Sequence, residues 1–292
     1  MTNTLTELLT KDLKIAARNL GRHEVRYLVS TYYNIQKMRK TAGMQMSRAQ
    51  KAGLPILLLE NFNKDMDTLE KLVARAMGFY SEDQPVGKWL LSQYGIGPVL
   101  ASGLLAHIDI TRAPYAGHIW SYAGWGGTGQ KPWNKGEKRP WNADFRVLCF
   151  KIGMSMQYFH NRPQCYYGGF YTKKQAAYRA ANERGDYAEI AAACVKIFNP
   201  TTVAYSYYER GLLPPAHIAA RTRRITAKLF LSHLHHVMYL EHFHKEPPDP
   251  YAYAQLQHDP VSYIPPSSIP DFGYDQNPDQ IQIDDETELD ND

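Results

Sequence analysis

Leu90-Leu91-Ser92-Gln93-Tyr94-Gly95-Ile96-Gly97-Pro98-Val99-Leu100-Ala101-Ser102-Gly103-Leu104-Leu105-Ala106 is the stretch on which the reading of this chain turns. It reads as a short helix, a tight Gly-Ile-Gly turn and a second helix. Gly95 and Gly97 can adopt φ > 0 and leave their backbone N–H groups uncovered. Ile96 between them is expected to point inward and pin the turn to the core. Pro98 suits the first turn of a helix, where its missing N–H costs nothing. Uncovered N–H groups at a helix start can hold a phosphate. Gly95, Ile96, Gly97 and Pro98 therefore read as a helix-hairpin-helix, a motif that grips a nucleic-acid backbone without reading bases. A plain αα-hairpin with a glycine turn is the competing reading.

Charge is strongly segregated along the chain. The 292 residues carry a net charge of +4, yet residues 246–292 hold 12 acidic residues and no Lys or Arg. The rest therefore sets 33 basic residues against the remaining 17 acidic ones, a net of +16. A body this basic points to a polyanionic partner. No apolar run approaches the ~20 residues that span a bilayer, so no membrane partner is expected. The start, Met1-Thr2-Asn3-Thr4-Leu5, does not read as a signal peptide. Cys149, Cys165 and Cys194 lack a metal-site spacing and read as reduced thiols, which places the chain in a cytoplasm. No metal ligand set is read anywhere.

Upstream of the turn, residues 4–20 look helical. From Val25 the apolar positions fall at Val25, Leu28, Tyr32, Ile35, Ala42, Met46 and Ala49, in steps of three and four, with Arg39 where an apolar residue is due. Gly53 and Pro55 break the pattern. It resumes at Leu59, Phe62, Met66, Leu69, Val73, Ala76 and Tyr80. Two such helices joined by a Gly-Pro turn predict an antiparallel coiled-coil arm, or the halves of a homodimer interface within residues 25–80. Two amphipathic helices packed on an ordinary bundle would show the same periodicity.

Downstream, Trp125 to Trp141 is too rich in Gly and Pro for a regular element and carries four basic residues and three tryptophans. Lys131, Trp133, Lys135, Lys138 and Arg139 suit backbone contact combined with base stacking. Helices are expected over residues 142–160, 173–181, 187–197 and 217–244, with 198–213 as a connection. The last helix begins with Arg221, Arg223, Arg224 and Lys228, which could lie along a phosphate backbone. Its end holds His233, His235, His236, His242 and His244, read as a polar face rather than a metal site. Residues 246–292, with eight prolines, are expected to form a disordered acidic tail. Strand-like alternation is nearly absent. The fold class is all-α, in three parts: helices and arm over 1–84, a helix-hairpin-helix domain over 85–245, and the tail over 246–292.

The order Gly95-Ile96-Gly97-Pro98-Val99-Leu100-Ala101-Ser102-Gly103-Leu104-Leu105-Ala106-His107-Ile108, then Arg112, then Ser121-Tyr122-Ala123-Gly124, resembles insertion-sequence family 110. These are the bridge-RNA recombinases, whose C-terminal transposase domain contains a helix-hairpin-helix. Asn161-Arg162-Pro163 with Phe170-Tyr171, and Arg221 to His236, are looser matches. The resemblance implies a bacterial or phage-encoded DNA transposition protein, a coiled coil before the turn, and DNA with a structured guide RNA as partners. Two departures accompany it. Family members begin with a RuvC-like domain whose four acidic residues bind divalent metal, and residues 1–24 are too short to hold one. Such a domain, with its metal, would have to come from a separate partner chain. The family's nucleophilic serine, followed by glycine, has Thr128-Gly129 at about its place here, which makes Thr128 a catalytic candidate by resemblance, with a plain loop residue as the alternative. A non-catalytic architectural or regulatory nucleic-acid-binding protein is the alternative to a recombinase.

Overall fold

The computed structural model describes residues 11–126, 133–248 and Ile264. Every regular element among them is helical. They are α1 (Lys11–Arg18), α2 (Arg22–Lys51), α3 (Leu57–Glu82), α4 (Pro85–Ser92), α5 (Pro98–His107) and α6 (Ala116–Tyr122). They continue with α7 (Ala143–Tyr158), α8 (Tyr166–Glu183), α9 (Ala188–Val195), α10 (Val203–Glu209) and α11 (Pro215–Phe243). A 3-10 turn, Ile110–Arg112, links α5 to α6. None of the described helices is long and apolar enough to cross a membrane.

The main core gathers residues spaced three and four apart on several helices. Val25, Val29 and Tyr32 of α2 meet Met77 and Tyr80 of α3, Leu104 and Leu105 of α5, Phe145, Leu148 and Ile152 of α7, and Phe230 and Leu234 of α11. A smaller cluster of Ala191, Tyr208, Leu213 and Ile218 ties α9 and α10 to the start of α11. Helix α10 lies within the stretch expected to be a plain connection, where Thr202 caps it by accepting from the Tyr205 N–H.

Helices α2 and α3 form an antiparallel hairpin, reversed at Gly53 (φ +68°). Only its base is buried: Val25 to Ile35 on α2 and Glu70 to Ser81 on α3. The far half leaves Met38, Met44, Leu57, Leu58 and Phe62 exposed. Arg39 does not interrupt an apolar seam at its own expense. Its Nε donates to Glu70 Oε2 at 2.8 Å, and Gln36 Nε2 donates to Glu70 Oε1 at 2.9 Å. The Glu70 carboxylate is almost wholly buried, and burial together with that carboxylate pushes the Tyr32 phenol well above its ordinary range.

The histidines of α11 correct the expectation of a polar face. His233 and His235 are buried. His233 bridges the Tyr167 hydroxyl (2.9 Å) and the Ile264 carbonyl (2.8 Å), and His235 Nε2 lies 2.8 Å from the Ala113 carbonyl. An imidazole held between two such partners offers no free nitrogen to a metal.

Candidate nucleic-acid interface

The Gly95–Pro98 turn forms as a helix–turn–helix corner between α4 and α5. Ile96 is 1% exposed and anchors it in the core, so its side chain has no face left for a ligand. Gly95 takes φ +91°, as anticipated; Gly97 does not, lying at φ −89°, ψ 177° as the extended N-cap of α5. The turn is also less open than the sequence implies. Ser155 Oγ of α7 donates to the Gly95 carbonyl at 2.5 Å, and a Cβ on Gly95 would meet that oxygen at 3.0 Å and Phe159 at 3.2 Å. Tyr94 packs edge-on against Phe159, and Pro98 faces Gly78 of α3.

A second basic surface builds up on the other side of α7. There Gly153 lets α11 approach so closely that a Cβ would lie 3.0 Å from the Arg223 carbonyl oxygen. Ser155 and Phe159 are two residues from Gly153 and Gln157, or about 200° around the helix. Helix α7 therefore stands between the glycine turn and the arginines, and the structure does not bring these two sets of expected contacts together.

The crossing of α7 and α11 leaves a cleft of about 250 Å³ lined by Trp125, Arg146, Cys149, Phe150, Gly153, Ala220, Arg223 and Arg224. Arg223 lies over the Phe150 ring at 5.5 Å and donates through Nη1 to Gln157 Oε1 at 2.7 Å, while its buried Nε has no acceptor. Partial desolvation, then the charges of Arg221 and Arg146, lower the basicity of Arg224. Desolvation and Arg224 do the same to Lys228, whose ammonium sits 4.7 Å over the Trp120 ring. Among the described residues no carboxylate pairs with Arg146, Arg221, Arg223, Arg224 or Lys228. Like charges held together without a paired counter-charge raise the potential over the cleft.

The tryptophan loop joins this surface. Trp141 meets Trp133 edge-on at 6.0 Å, Arg139 lies over Trp133 at 5.3 Å, and Arg146 lies over Trp141 at 4.8 Å. Trp133 Nε1 donates to the Glu137 carbonyl at 2.8 Å, which closes the small loop. Asn142 donates its N–H to the Tyr122 carbonyl and accepts from the Phe145 N–H, so the loop's end is fixed as the N-cap of α7. Gly124, at φ +70°, makes room for Trp141, since a Cβ there would sit 2.8 Å from the indole. Tyr122, Lys138, Arg139, Pro140, Trp141 and Asn142 enclose an adjoining open groove of about 450 Å³.

Thus Trp133, Lys138, Arg139, Arg223 and Arg224 share one surface, and Lys135 of the same loop is exposed. Arg221 turns aside, its guanidinium between the Tyr178 ring (5.4 Å) and the Tyr187 ring (4.8 Å). Thr128 and Lys131 lie outside the described residues. Sequence reasoning missed Arg146, one of two cations in an apolar-patterned helix. Its one signal was its place in the first turns of α7, four residues after the Asn142 cap. No group of three or more His, Cys, Asp or Glu among the described residues is placed to hold a metal ion. Comparison with family models, with curated proteins and with solved structures returned no match.

Proposed function

We propose that this protein binds nucleic acid through the phosphate backbone, at the surface formed by the tryptophan loop, Arg146 and the start of α11. The observation that carries this reading is the gathering of Arg146, Arg223 and Arg224 at one cleft beside Trp125, with Trp141 stacked on Arg146, Lys228 close to Arg224, and no described carboxylate paired with these four cations. Guanidinium groups held in a fork suit phosphate oxygens, and indoles beside them suit bases. The glycine turn offers a second, smaller contact of helix-hairpin-helix type on the opposite side of α7. The protein is a DNA-binding relative of transposases in this reading, as the order of residues 95–124 implies. A bound guide RNA would meet the same cations.

Strand transfer would need Thr128 as nucleophile and a divalent metal, for which no group of acids is placed among the described residues. The non-catalytic reading, an architectural or regulatory protein, needs only the surface just described. The half-exposed α2–α3 hairpin supports a homodimer, built as a coiled coil through its Met38, Leu57, Leu58 and Phe62 side.

The test is equilibrium binding of duplex DNA over a salt series. Binding should weaken as salt rises, with the logarithm of affinity falling linearly against the logarithm of salt. Replacing Arg223 and Arg224 with Gln should lower both affinity and slope. Salt-indifferent binding, or a double variant that binds like the native chain, refutes the reading. Replacing Thr128 with Ala or with Ser then separates enzyme from binder, since only an enzyme changes strand transfer.

A further inference from the structure

We infer that the cleft between α7 and α11 takes an unpaired nucleotide, with its phosphate on Arg146, Arg223 and Arg224 and its base against Trp125 and Phe150. The inference rests on the nucleic-acid reading above and narrows the substrate from duplex backbone to single-stranded or end-frayed DNA or RNA. Three features carry it.

The first is shape. The floor is made by the small residues Cys149, Gly153 and Ala220, and larger groups rise around it. Gly153 permits the close helix crossing, and Cys149 is fully buried beneath. A recess of about 250 Å³ is below the roughly 300 Å³ of the smallest drug-sized pockets and on the scale of one base with its phosphate. A duplex presents a convex backbone that rides over such a recess without filling it.

The second is the chemistry of the walls. Trp125 and Phe150 put aromatic rings in the lining, and Phe150 is 51% exposed although Arg223 lies over one side of its ring. Ring faces gain little from a duplex, whose base faces are hidden in the stack, and much from an unpaired base. The third is what the walls lack. Arg223 brings a buried Nε without an acceptor, whereas among the described residues no side-chain amide or carboxylate lines the recess to read base edges. Recognition is therefore of charge and stacking, indifferent to sequence.

The experiment compares the full chain's affinity for an oligo-dT strand, an oligo-U strand and a blunt duplex with the same number of phosphates, at one salt concentration. At least one single strand should bind about tenfold tighter than the duplex, the worth of one stacked base. Ala220→Leu, which raises the floor without altering charge, should bring that ratio near one. Phe150→Ala, at an exposed ring whose loss leaves the core intact, should lower it several-fold. Helix content by circular dichroism checks that both variants fold. Equal affinity for strand and duplex in the native chain, or a ratio unmoved by both substitutions, overturns this inference and leaves the backbone-binding reading standing. Absence of salt-dependent binding to all three probes overturns both.

Discussion

The guanidinium carbon of Arg146 lies 4.8 Å from the centre of the Trp141 ring. Through this contact the irregular tryptophan loop and the regular α7–α11 pair form one surface. Arg146 is thus both a charge in the cleft and the support that orients Trp141. Arg146→Lys keeps the charge and loses the planar stack. We expect Arg146→Lys to weaken nucleic-acid binding several-fold while the salt slope stays near native, whereas Arg146→Ala lowers the slope by about one. Fluorescence anisotropy over a salt series reads both quantities.

The arm carries its own test. Arg39 and Gln36 both bond to the buried Glu70 carboxylate. Arg39→Met leaves that carboxylate short of its countercharge and should cost about 3 kcal/mol of stability. Adding Glu70→Leu to Arg39→Met should recover most of the loss, because an apolar pair of similar volume suits the site. A double variant no more stable than the single one in thermal unfolding contradicts this account.

Two glycines with opposite surroundings test the packing. A Cβ on Gly87 would fall 1.9 Å from the Ser81 carbonyl oxygen, in the tight corner between α3 and α4. Backbone must move to admit it, so Gly87→Ala should cost several kcal/mol, about 3 or more. A Cβ on Gly117 in α6 meets nothing within 4 Å. Gly117→Ala should be neutral or stabilising by up to about 1 kcal/mol. Chemical denaturation of the two variants gives the comparison directly.

Acid should destabilise the fold through His107. This imidazole is buried beside Phe145, and burial, then the Arg26 charge, lowers its pKa to about 4 from an ordinary 6.5. The folded state therefore stays neutral where the unfolded chain already binds a proton. Stability is fully present above pH 6.5 and declines as pH falls towards 4, by about 3 kcal/mol in all. His233 and His235 are lowered in the same direction, chiefly by burial, and add to the decline. His107→Gln should flatten the dependence of unfolding free energy on pH between 6.5 and 4.

Periodicity made the helices legible. The α2–α3 stripes and the Pro98 start follow from apolar spacing and from proline's fit to a first helical turn, and the structure has helices there and over the expected residues 142–160. The buried position of Ile96 was legible too, from two flanking glycines. What periodicity hides is which polar residue meets which. Arg39 reads as an intrusion until Glu70, 31 positions away, comes opposite. His233 and His235 read as solvent-facing until Tyr167 and Ala113 close over them. The Trp/Lys loop and the α11 arginines could each be picked out by composition, but their meeting depends on Arg146 and on the glycine that lets α7 and α11 cross. The position of Gly95 opposite Ser155 and Phe159 is likewise a tertiary fact, with no local signal.

The most direct test of the central claim is to map where nucleic acid touches the protein. A photoreactive single strand would be cross-linked to the full chain and the modified peptides identified by mass spectrometry. Cross-links at Trp125, Trp141 and Phe150, with peptides from the start of α11, are the predicted result. Cross-links confined to the basic arm around Lys40, Arg48 and Lys51, or to the Gly95 turn alone, would contradict it.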